Sequence, residues 1–180
     1  MRTNTSSITN SVNRSSSRRG FLLITLVFAC FALSPQARAL CQEGCDDNNR
    51  NTFLGDDALI NNTTGLDNTA NGASALLNNT TGFDNTATGA EALFDNTGGF
   101  SNTANGAGAL YGNTDGYYNT ADGFEALHEN TTGFNNTATG GFALFFNTTG
   151  NANTANGANA LILNSSGANN TASGAFCPFQ

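Results

Sequence analysis

The sequence predicts an all-β fold, a parallel β-solenoid or β-roll built from 17-residue coils. Three observations carry it: a repeat of fixed period, a glycine and an Asn-Thr pair at constant places in each copy, and apolar residues that recur in columns. From residue 48 onward the 180-residue chain repeats every 17 residues without insertion. Copies open at Gly65, Gly82, Gly99, Gly116, Gly133, Gly150 and Gly167, after an earlier copy, 48–64, that has Asn48 in the glycine's place. The unit reads G-φ-x-N-T-A-x-G-x-x-A-L-φ-x-N-T-T, where φ is apolar. So short a period makes each unit one coil resting on its neighbours, because about 17 residues enclose no core of their own.

Each part of the unit has a physical reason. The inner glycine (Gly55, Gly72 and so on to Gly174) and the N-T-T-G group supply the corners, since Gly and, less readily, Asn take positive φ. Stacking sets each column of identical residues about 4.8 Å from its copies. The column Asn68, Asn85, Asn102, Asn119, Asn136 and Asn153 can then bond side chain to side chain along the axis, as amide ladders do in cross-β assemblies. Two forms of the segment G-x-x-A-L-φ-x-N stay open, a second short strand or one helical turn ended by Asn, as in Gly89–Asn96. Asn71-Gly72, Asn105-Gly106 and Asn156-Gly157 are hairpin dipeptides in isolation, but other copies carry Thr, Asp or Leu before the same glycine, which favours columns over hairpins.

The apolar columns predict a partner surface. After six of the seven Ala-Leu pairs comes an apolar residue, Ile60, Leu77, Phe94, Tyr111, Phe145 or Ile162, and after five of the seven opening glycines comes Leu66, Phe83, Phe100, Tyr117 or Phe134. Neighbours in a strand face opposite sides, so Leu and the residue after it do not both enter a narrow core. One stripe is left outward, and a continuous apolar stripe is an association surface.

Ahead of the repeats, residues 1–39 are predicted to be an export signal. Residues 1–20 are polar and free of acid, a 13-residue apolar run extends from Phe21 to Leu33, and Ala37-Arg38-Ala39 supplies a cleavage site between Ala39 and Leu40. The run is too short for a bilayer, which needs about 20 residues. Ser17-Arg18-Arg19-Gly20-Phe21-Leu22 resembles the twin-arginine export motif through Arg18 and Arg19, which points to a bacterial chain that is secreted or placed at the cell surface. The domain plan is therefore the signal at 1–39, an N-terminal cap at 40–47, repeats over 48–176 and a tail at 177–180. After processing, thirteen acidic residues face the single Arg50, a net charge of −12. Such a surface repels phosphate backbones and argues against nucleic-acid binding.

Export leaves Cys41, Cys45 and Cys177. Cys41 and Cys45, spaced C-Q-E-G-C, are disulfide candidates within the cap, and Cys177 is a thiol free for a second chain. Three cysteines without a fourth ligand do not make a zinc site. Catalysis is not expected, and neither is a cofactor or metal: His128 is the one histidine and falls in the column of Ile60 and Phe94, there is no Lys, and Glu91 and Glu125 share a column two coils apart, roughly 10 Å. The threonine column Thr52, Thr69, Thr86 and successors raises an alternative, a solenoid face that binds ice or glycan, although Thr88 and Thr139 are the only threonines two places on. The N-x-T/S sites at Asn62, Asn79, Asn130, Asn147 and Asn164 read as turn residues in a bacterial chain.

The unit N-T-A-x-G-x-x-A-L-x-x-N-T-T-G resembles tandem repeats of bacterial surface and fibre proteins related to the heads of trimeric autotransporter adhesins. The resemblance spans 48–176 and rests mainly on N-T-A-x-G. It implies a trimeric β-roll at the cell surface, a homo-oligomer with adhesion to a surface or glycan as its usual role and no membrane span in the roll. The coiled-coil stalk, membrane barrel and chaperone domain found in such proteins have no counterpart in Phe176-Cys-Pro-Phe-Gln180.

Overall fold

The structure is a computed structural model of the chain and describes residues 43–46 and 48–176. Residues 40–180 group as a unit of their own, apart from 1–39. The export motif with Arg18 and Arg19, the cleavage site at Ala39 and Leu40, Cys41 and Cys177 lie outside the described residues.

Nine strands follow one another in a single sheet in chain order: β1 (Glu43–Asp46), β2 (Asn51–Leu54), β3 (Thr69–Asn71), β4 (Thr86–Thr88), β5 (Thr103–Asn105), β6 (Thr120–Asp122), β7 (Thr137–Thr139), β8 (Thr154–Asn156) and β9 (Thr171–Ser173). From β2 to β9 every pairing is parallel and every register step is 17 residues, so Thr69 lies on Thr86 and Ala70 on Ala87. The solenoid expected from the period is thus the fold. β1 alone runs antiparallel, Cys45 opposite Thr52, and covers the edge of the first coil. A covered edge cannot recruit another strand.

Each coil holds one short strand, of four residues in the first coil and three in the others, and its second wall is neither a strand nor a helical turn. Among the described residues there is no helix. The helical-turn form of Gly89–Asn96 is therefore corrected. In its place the wall carries left-handed residues at alternate positions: Ser74 at φ 57° and Leu76 at 52°, Glu91 at 58° and Leu93 at 53°. This alternation turns successive peptide groups up and down the stack. Ser74 N–H donates to Asp56 O of the coil before (2.7 Å), and Leu76 N–H to Ala92 O of the coil after (3.0 Å). A helical turn would direct those groups within one coil and leave the wall unattached to its neighbours.

The same geometry explains the core. Ala75 and Leu76 are adjacent yet both wholly buried, as are Ala92 with Leu93 and Ala109 with Leu110. Strand alternation forbids that, and the positive φ at leucine permits it. The leucine column, Leu59 to Leu161, holds φ between 51° and 54° in all seven coils. No Val or Ile stands there, although either is as apolar, because β-branched side chains clash in the left-handed region. That conformation costs roughly 1–2 kcal/mol per residue, which burial of a leucine, worth about 1.5–3 kcal/mol, offsets. The strand's alanine column, Ala70 to Ala155, completes the apolar interior.

Candidate interaction surfaces

The polar interior consists of two asparagine ladders that meet at one carbonyl. Asn85, just before β4, donates from Nδ2 to Asn68 Oδ1 (3.1 Å) and to Gly99 O (2.8 Å). Its Oδ1 accepts from the backbone N–H of Asn102 (3.0 Å) and from Asn102 Nδ2 (3.1 Å). All four hydrogen-bonding sites of the amide are filled, so it is buried without the desolvation cost of an unpaired group. The expected ladder over Asn68, Asn85, Asn102, Asn119, Asn136 and Asn153 forms throughout. A second one runs through Asn62, Asn79, Asn96, Asn113, Asn130, Asn147 and Asn164, where Asn96 Nδ2 donates to Asn79 Oδ1 at 2.7 Å. Both ladders reach the glycine that opens the next coil: Gly82 O accepts from Asn68 Nδ2 (2.8 Å) and from Asn79 Nδ2 (3.1 Å). A Cβ at Gly82 would overlap Asn79 Oδ1 and Asn96 Nδ2, which is why this column is glycine from Gly65 to Gly167.

The second ladder occupies the five N-x-T/S sites named above, and four of the five asparagines are buried against solvent or nearly so. Asn79, Asn130, Asn147 and Asn164 are interior structural residues.

Outside, the two aromatic columns flank the N-T-T-G corner. Phe83, Phe100, Tyr117 and Phe134 stack with ring centroids 4.8–4.9 Å apart, and so do Phe94, Tyr111, His128 and Phe145. The spacing equals the coil rise, so the rings cover each other's faces and present their edges. His128 is a member of the stack, as its column predicts, with Nδ1 3.1 Å from Glu129 Oε1. Burial in the same stack, reinforced by the Asp95 and Glu91 carboxylates, holds the Tyr111 phenol above its ordinary value of 10.0. At the corner itself Thr80 Oγ1 donates to Thr97 O (2.7 Å), which gives the Thr63-to-Thr148 column a fold role.

The strand wall is polar and regular. In β3 to β8 the central alanine points in while the first and third residues are exposed. The exposed threonine is accompanied on its own face by Asn71, Thr88, Asn105, Asp122, Thr139 and Asn156. Glu91 and Glu125 are two coils apart with Gly108 between them, and no pairing joins them. Cys45 lies in β1 opposite Thr52, and its side chain is outside the described residues, as is its candidate partner Cys41. Among the described residues no helix is long and apolar enough to cross a membrane.

Columns ten and fourteen of the unit make a surface that sequence reasoning missed. Column ten runs Asp57, Ser74, Glu91, Gly108, Glu125, Phe142, Asn159, Phe176, and column fourteen runs Asn61, Asn78, Asp95, Gly112, Glu129, Phe146, Leu163. The signal was present as a change along each column, but attention to what repeats hides what drifts. Phe142 meets Phe124 (5.3 Å) and Phe145 (5.8 Å), and Phe145 meets Phe146 (4.7 Å), so the late coils carry one joined aromatic patch.

Comparison with known proteins gives no matching family model, no matching curated protein and no matching solved structure.

Proposed function

We propose that this chain is a secreted or cell-surface repeat protein of bacterial origin, without catalysis, whose role is structural or adhesive and which associates with copies of itself. The observation that carries the reading is a rod tied together by buried amide ladders that presents half-buried aromatic columns along its outside. Repetition suits this role, since identical coils multiply one weak contact, and suits catalysis poorly, since catalysis needs unlike groups brought together at one place. The trimer implied by the adhesin-head resemblance is one form of such association. Fractionation of cells expressing the full chain, with N-terminal sequencing, tests export: the reading expects product beginning at Leu40 outside the cytoplasm, and intact 1–39 retained inside contradicts it.

A second reading, a face for ice or glycan, is supported by the strand wall. The column Thr69 to Thr154 is exposed and in register, and the residue two places on is exposed on the same face. β-Branched side chains keep one χ1, so the hydroxyls repeat with the backbone at about 4.8 Å. Freezing hysteresis above that of a control protein would favour it, and its absence removes the ice form.

A further inference from the structure

We infer that the wall of the last three coils, centred on Phe142, Phe146 and Leu163, is where a second copy of this chain docks, with the two rods antiparallel about a twofold axis. The inference rests on the self-association proposed above and specifies its contact. These three side chains are 36%, 46% and 64% exposed, and Phe124 beside them is 51% exposed. Large apolar groups gathered on one wall mark an interface rather than a solvent face. No acidic or basic residue occurs after Glu129, so nothing on this wall repels a neutral partner and nothing attracts a charged one.

The occupant follows from the charge. In the same two columns the early coils carry Glu91, Glu125, Asp95 and Glu129, and the one arginine of the repeats, Arg50, is already paired with Asp67 at the first coil. Parallel rods, whether two or three, would set these carboxylates against their own copies with no cation between them. An antiparallel pair overlapping only at the late coils joins the apolar patches and sends the acidic halves in opposite directions. A lipid surface is the weaker fit, because anionic bilayers draw basic segments and this chain is acidic.

Sedimentation of the purified chain over a concentration series tests the contact. A reversible dimer is expected, longer by small-angle scattering than the monomer. The triple variant Phe142→Asn, Phe146→Asn, Leu163→Asn is expected to weaken dimerisation at least about 30-fold, while Phe83→Asn, on the far side of the corner, changes it less than about threefold. Folding should survive, because Asn159 stands naturally in the column of Phe142, and Asn61 and Asn78 in that of Phe146 and Leu163. A trimer, or a dimer no longer than the monomer, overturns the antiparallel contact but keeps self-association. So does an oligomer indifferent to the triple variant. A monomer at every concentration overturns both, and a monomer that binds phosphatidylcholine vesicles only before the triple substitution assigns the patch to lipid.

Discussion

Residues 48–129 and residues 130–176 of the repeats are the same object inside and different objects outside. In both, Ala and Leu fill the apolar core, two asparagines ladder along the axis and a glycine carbonyl joins them. Outside, the early part carries all ten acidic residues of the repeats, and the late part carries none. An inward column must match its own copies 17 residues away, so its identity is held by packing. An outward column is released from that constraint and can change along the rod, which is how one repeat holds two surfaces.

The comparison can be broken most forcefully from the inside. Leu93→Ala and Leu144→Ala, one in each half, should each cost about 2–5 kcal/mol in denaturant unfolding, and the two losses should agree within about 1 kcal/mol. A loss confined to one half would show that the interiors are not equivalent. Asn102→Ala should cost about 3 kcal/mol, since it strands the backbone N–H of Asn119, which donates to Asn102 Oδ1, and removes one of the two donors to each of Asn85 Oδ1 and Gly116 O. Replacing an exposed Asn of the same type, Asn71→Ala, should change stability by less than about 0.5 kcal/mol.

Surface substitutions sharpen the same contrast. Glu125→Leu extends the late apolar wall by one coil into the acidic half, and should leave the unfolding midpoint nearly unchanged while strengthening self-association several-fold. Sedimentation reads the second effect and denaturant titration the first. The smallest effect concerns Tyr111. Its phenol is raised in the folded state, so the neutral form is favoured by folding, and that contribution is present below pH about 10 and fades as pH rises through the raised value. Tyr111→Phe should therefore leave stability at pH 7 within about 0.5 kcal/mol and flatten the fall in stability above pH 10.

Much of the fold was legible in the sequence because the period is a direct physical statement. Seventeen residues without a gap impose parallel stacking, and the ladder through Asn68 and the stack containing His128 follow from column membership alone. The second wall was not legible. Ala75-Leu76 is the type of pair that helices favour, and its left-handed leucine is stabilised by hydrogen bonds to coils above and below, which no local propensity encodes. The meeting of both ladders at Gly82 O was equally hidden, because it depends on residues 14 and 3 positions away being brought to one atom. The late apolar wall was visible in Phe142, Phe146 and Leu163, yet only their shared wall in the coil turns scattered substitutions into one surface.

The central claim is that buried asparagine amides tie every coil to the next along the whole repeat. Hydrogen exchange of side-chain amide protons, followed by NMR, tests it most directly. The account predicts that the amides of Asn85, Asn96, Asn136 and Asn147 exchange at least about 100-fold more slowly than that of exposed Asn71, and equally in the acidic and neutral halves. Inner amides that exchange as fast as Asn71, or protection in one half alone, would contradict it.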